Sequence, residues 1–151
     1  MIKGLYEAHL PVSNIKNSVE FYQKIGLELK VEDDDVAFMW IVPQRSLLGL
    51  WKHDISDERE PGSYPPNGRH VAFEIDFEDI RQAESWLKEC GISVVQHGKL
   101  PSSEPYVRPH MKNASVYFDD PDGNNLEFIC NLPDGPSESA QLIHLSQWNE
   151  L

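Results

Sequence analysis

Apolar residues recur at helical spacing in two stretches of the chain. Ile15, Val19, Tyr22 and Ile25 form one stripe, and Ile80, Ala83, Leu87 and Cys90 form another, 65 residues further on. Both stripes stop at a glycine, Gly26 and Gly91, and a short alternating segment follows each, Leu27–Lys30 and Ile92–Val95. Each stretch therefore predicts a helix ended by glycine and then a strand. Ser13 or Asn14 is placed to cap the first helix, and Asp76 or Asp79 the second. A strand carrying a histidine precedes each helix, His9 in Tyr6–Leu10 and His70 in Arg69–Ile75, and these histidines stand 61 residues apart. At the far end Pro43, Leu48, Gly49 and Leu50 match Pro121, Leu126, Glu127 and Phe128 at an offset of 78. The drift from 61 to 78 requires insertions in the second copy, which fit the polar loops around Asp76–Glu78 and from His97 to Lys112.

The pattern predicts an α+β fold made of two β-α-β-β-β repeats within a single domain spanning residues 1–131. The units cover about 1–60 and 68–131, separated by the Pro- and Gly-rich stretch Glu60–Gly68. In the tail, 132–151, Leu142, Leu145 and Trp148 stand three apart, which predicts a surface-docked helix. The length of 151 residues suits one core, so composition changes the picture mainly through charge. The net charge of −12 disfavours nucleic acid and anionic membrane surfaces as partners. With no spanning apolar run and no secretory signal, a cytoplasmic location is expected. Cys90 and Cys130 form neither a disulfide framework nor a CxxC motif.

Three segments carry a resemblance to a known family. They are His9 followed by Val12–Tyr22, the second His70-Val71-Ala72-Phe73, and Val116–Phe128 with its Asp120-Pro121-Asp122-Gly123 turn. Together, over residues 2–131, they resemble the vicinal oxygen chelate superfamily, which includes glyoxalase I, fosfomycin thiol transferases, extradiol dioxygenases and bleomycin-binding proteins. The resemblance implies two curved mixed sheets around a metal cleft, a homodimer, and one divalent ion (Fe, Mn, Ni, Co or Zn) that chelates a small-molecule substrate through two adjacent oxygens. His9, His70 and Glu127 are the metal ligands expected from the repeat, since two imidazoles and a carboxylate suit an open-sided transition-metal site. Gly49 stands where Glu127 has its counterpart in the first repeat, so a fourth ligand is absent, which argues against glyoxalase I.

The run from His110 through Tyr117 to Glu127 follows a pattern of the extradiol dioxygenases, although Arg108 is unusual two places before the histidine. That resemblance makes His110 and Tyr117 candidate catalytic donors beside Glu127. The dioxygenases' further acid-base histidine is missing from Gln44-Arg45-Ser46. Fosfomycin thiol transfer is disfavoured by Pro11, where a threonine is expected two places after the first histidine, and by the lack of an arginine in Ile129–Pro133. Glu74 shares a strand face with His70, and Phe38, Trp40 and Trp51 are read as core first. The expected function is a metal-dependent enzyme of the glyoxalase or dioxygenase type. The alternative is a metal-independent protein that sequesters a small molecule, against which the three ligand-type residues argue.

Overall fold

The computed structural model describes residues 1–54, 69–133 and 138–148. The whole predicted Glu60–Gly68 separator, and 134–137 and 149–151 of the tail, lie outside them. The fold is α+β, with two mixed sheets in two compact units. No helix among the described residues is long and apolar enough to cross a membrane.

The first unit contains β1 (Glu7–Val12), α1 (Ile15–Lys24), β2 (Glu28–Glu32), β3 (Val36–Val42), β4 (Ser46–Lys52) and the turn Asp120–Asn124. Its sheet runs β1-β4-β3-β2, with β1 parallel to β4 and the other pairs antiparallel. The predicted stripe of α1 is buried at Ile15, Val19 and Tyr22, and Leu10, Val12, Ala37, Met39, Leu48 and Leu50 from the strands are buried too. Burying side chains of this size contributes about 1.5–3 kcal/mol each. Of the two capping candidates, Asn14 is used, its side-chain oxygen accepting from the Asn17 N–H at 3.0 Å. Gly26 then ends the helix at φ +99°, where a side chain would be strained.

The second unit contains β5 (His70–Glu74), α2 (Ala83–Glu89), β6 (Tyr106–Arg108), a 3-10 turn (Pro109–Met111), β7 (Asn113–Asp119), β8 (Asn125–Asn131), β9 (Ile143–His144) and α3 (Leu145–Trp148). Its sheet runs β5-β8-β7-β6-β9, again with the first and last strands of the repeat paired in parallel. The core includes Ile80, Leu87, Val116, Phe118, Leu126 and Phe128.

Three expectations change in this unit. The helix begins at Ala83, because the residues around Asp79 form turns and Gln82 supplies no side-chain cap. The strand expected at Ile92–Val95 shrinks to one bridge between Val94 and Phe118, and β6, from the segment read as a loop, pairs with β7 at Asn113–Ser115. Gly98, Pro101 and Pro105 lie between these two pieces and prevent one continuous strand. Among the described residues of the tail, Leu145–Trp148 alone is helical, and Leu145 and Trp148 are buried while Ile143 and His144 extend the sheet.

In the first unit the buried carboxylate of Asp120 gathers four donors. Tyr22 O–H and Asn124 Nδ2 reach Oδ2 at 2.8 and 2.7 Å, and the backbone N–H groups of Asp122 and Asn124 reach Oδ1 at 2.9 and 2.8 Å. Asn124 also donates to the Pro11 carbonyl at 2.9 Å, tying the turn to β1. Burial pushes the Asp120 carboxyl up, and the donors offset only part of that rise. Tyr22→Phe removes one donor from a buried charge, so it should cost about 1–2 kcal/mol. In thermal unfolding the midpoint should fall by about 2–8 °C.

Candidate metal centre

Parallel pairing of β5 with β8 places His70 opposite Asn125, and Ala72 opposite Glu127. The small Ala72 leaves the histidine and the glutamate to meet on one face. His70 Nε2 lies 3.0 Å from Glu127 Oε2, and His70 Nδ1 lies 2.8 Å from Asn125 Oδ1. The Asn125 amide nitrogen donates to Asp119 Oδ1 at 3.1 Å, so its oxygen is the atom that faces the imidazole. Nδ1 therefore carries a proton, and Nε2 is the nitrogen available to a metal once its own proton leaves. The hydrogen bond to Glu127 is the main reason the His70 pKa is raised, against a smaller opposing effect of burial.

Glu127 is 4% exposed. Burial alone would raise its carboxyl, but bonds from His70, Ser115 and Tyr117, with the charge of Arg108, bring it below its ordinary value. Tyr117 O–H donates to Oε1 at 2.9 Å, and Arg108 Nη1 stands 3.5 Å from the same atom. Arg108 also donates to the Tyr117 hydroxyl and, at 3.2 Å, to Ser115 Oγ. Burial pushes the Tyr117 phenol far up, so it serves as a donor that steadies the carboxylate. His97 stacks on the Tyr117 ring at 4.4 Å and 14°, and burial followed by the nearby Arg108 charge lowers its pKa.

Arg108, His97 and Asn125 belong to this cluster and were not among the residues singled out as functional. Arg108 drew notice only as an oddity before His110, yet on β6 it pairs with Asn113 and its side chain reaches Ser115 and Tyr117. His110 itself is exposed on the 3-10 turn, where the backbone swings outward after β6, and its N–H bonds the Ser139 carbonyl. Among the described residues, its ring takes no part in the hydrogen-bonded cluster of His70, Glu127, Tyr117 and Arg108. Glu74 is exposed at the end of β5, two residues past Ala72.

His9 belongs to the first unit. It pairs with Gly49 across β1 and β4, and a Cβ at Gly49 would sit 2.4 Å from His9 Nδ1. Glycine there lets the imidazole lie across β4, where the Trp51 indole N–H donates to Nδ1 at 2.8 Å. His9 Nε2 is 3.3 Å from Glu7 Oε1 on the same strand. Phe38 packs edge-on against both His9 and Trp51, with ring centres 6.2 Å apart in each pair. Trp51 is thus half exposed and bonded to a histidine, whereas it was read as core.

Among the described residues no three His, Cys, Asp or Glu side chains converge to hold a metal ion. The donor set of His70 and Glu127 nevertheless fits one. Ligands at right angles around an ion with bonds of about 2.1 Å stand about 3.0 Å apart, which is the spacing found between His70 Nε2 and Glu127 Oε2.

The model of the Glyoxalase/Bleomycin resistance protein/Dioxygenase superfamily matches residues 4–128. The chain belongs to this superfamily. Among superfamily members, metallothiol transferase FosB of Staphylococcus haemolyticus is 32% identical over 129 residues, 84% of this chain and 83% of its own. FosB of Staphylococcus epidermidis is likewise 32% identical over 129 residues, with the same coverage. Among solved structures, an integron cassette protein from the Halifax Harbour sewage outfall metagenome shares 26% identity at TM-score 0.65, covering 85% of this chain and 99% of its own. The fosfomycin resistance protein FosX of Listeria monocytogenes, complexed with Mn(II) and sulfate, shares the fold at TM-score 0.65 and 22% identity, over 88% of this chain and 94% of its own. The FosB relatives are metallothiol transferases by name, neither glyoxalases nor ring-cleaving dioxygenases.

Gly49 offers a direct check on the first unit. Gly49→Ala should push the His9 ring off β4 and release the Trp51 indole proton, at a cost of about 1 kcal/mol. The indole N–H resonance of Trp51 should shift, while that of Trp86, in the other unit, stays in place.

Proposed function

We propose that this protein is a metal-dependent transferase that joins a small-molecule thiol to an anionic, oxygen-chelating substrate, acting as a homodimer. The observation that carries the reading is the orientation of His70. Asn125 holds its Nδ1 proton, so Nε2 is turned toward a buried carboxylate at a spacing suited to a shared ion. The reaction class is supported by the metallothiol transferase relatives.

In this reading His70 and Glu127 hold the ion. A bound divalent ion supplies Lewis-acid polarisation of the substrate's oxygens. Ser115 and Tyr117 keep the Glu127 carboxylate fixed, and Arg108 places a positive charge beside it that draws an anionic substrate in. As the sulfur–carbon bond forms, a carbon–oxygen bond breaks and the released oxygen takes up the thiol proton. No oxidant is consumed, which separates this chemistry from ring cleavage.

His70→Ala and Glu127→Ala should each lose most of the bound metal, measured by elemental analysis after loading with Mn2+ and desalting. Fosfomycin, an epoxide-bearing phosphonate, mixed with L-cysteine and the Mn2+-loaded protein should give a new thioether phosphonate resonance in 31P spectra, absent with either variant. Metal content equal to wild type in both variants would sink the metal centre. Tight ligand binding without metal, unchanged in Glu127→Ala, would instead favour the sequestering role.

A further inference from the structure

Arg108 and His97 both lie in the second unit, and the contact between them fixes the state of the imidazole. Arg108 Nη2 stands 3.3 Å from His97 Nε2. A guanidinium has only protons to offer, so Nε2 must accept, and the ring is neutral with its own proton on Nδ1. Protonating Nε2 would set two cations together. The ring is also held in place. The His97 backbone N–H donates to the Tyr106 hydroxyl at 3.2 Å, that hydroxyl donates to the Leu100 carbonyl at 3.0 Å, and the imidazole stacks on Tyr117. Tyr117 in turn donates to Glu127, so a half-buried neutral base stands one ring away from the carboxylate.

The thiol transfer needs a carrier for one proton. The thiol must shed it as sulfur attacks, and the oxygen released from carbon must gain one. His70 and Glu127 are committed to the ion. Tyr117 O–H is turned to Glu127, with its phenol pushed far up by burial, and Arg108 never gives up its proton.

We propose that His97 is a catalytic residue that carries this proton, its Nε2 taking it from the thiol as the sulfur–carbon bond forms and returning it to the oxygen released as the carbon–oxygen bond breaks. This role rests on the thiol-transfer reading given above. An anionic group on the substrate competes for the Arg108 N–H that His97 accepts, so arrival of the anion opens the Nε2 lone pair. The ring ends each cycle neutral, as it began, and no further reactant is consumed. Arg108 and Tyr106 from β6 and Tyr117 from β7 face it, and the charges of Glu127 on β8 and His70 on β5 act on it.

The test compares His97→Gln and His97→Ala with the wild type, each full-length and loaded with Mn2+. Both should keep the fold and the metal, checked by thermal unfolding and elemental analysis. Glutamine retains an acceptor for Arg108 but carries no proton, so His97→Gln should bind fosfomycin with wild-type affinity in calorimetry. Its rate with L-cysteine, followed in 31P spectra, should fall by about 100-fold, within the range that general acid–base groups contribute. With L-selenocysteine, whose selenol is already ionised at neutral pH, the loss should shrink to under about 10-fold. In His97→Ala, added imidazole should restore turnover of L-cysteine. A wild-type rate with L-cysteine in both variants would overturn the inference, as would loss of metal in both, or an equal loss with the two nucleophiles that imidazole does not relieve. No thioether from the wild-type protein would overturn the thiol-transfer reading itself, and this role with it.

Discussion

Parallel pairing between the first and last strands of each unit is the constraint on which the site depends. Parallel strands cannot be joined by a tight turn, so a helix and two further strands lie between them and the two ends of the unit meet side by side. Because side chains alternate along a strand, that meeting places one face of each end strand together and sends the other face to the helix. Leu48 and Leu50, Leu126 and Phe128 fill the helix side, which leaves Gly49 and Glu127 on the opposite face. A slip of one residue would put Leu126 or Phe128 where the carboxylate stands, and Leu48 or Leu50 where Gly49 stands.

The two units use that face in reciprocal ways. In the second, a large acidic side chain on β8 stands beside a small one on β5, Glu127 next to Ala72. In the first, the large side chain is on β1 and the small one on β4, His9 over Gly49. Glu127 is buried and must be met by donors from β5, β6 and β7, which is why Ser115, Tyr117 and Arg108 converge on it. His9 and Glu7 are roughly 40% exposed, so water can still reach both of them.

Much of the fold was legible because it is written in apolar spacing. The stripe from Ile15 to Tyr22 and the glycine stops at Gly26 and Gly91 hold in the structure, since helix packing and a positive φ leave strong local signals. The extended segment at β6 was missed because three residues, Tyr106–Arg108, are too few to show alternation, and their pairing partners are set by tertiary contact. At the site, His70 and Glu127 could be named from the repeat. Arg108 could not, since its meaning comes from standing across from β7.

Asn125 has a consequence beyond holding one ring. Asp119, Asn125, His70 and Glu127 form a line of hydrogen bonds in which each amide or imidazole takes its direction from the neighbour before it. Both ends of the line are carboxylates, and at the Asp119 end a group with no proton to give dictates which end of the amide it meets. Polarity set at the end of β7 is thereby passed through two side chains to a buried nitrogen. An uncharged residue at Asp119 would take away what sets the sense of the Asn125 amide, leaving the His70 Nδ1 end of the line ambiguous.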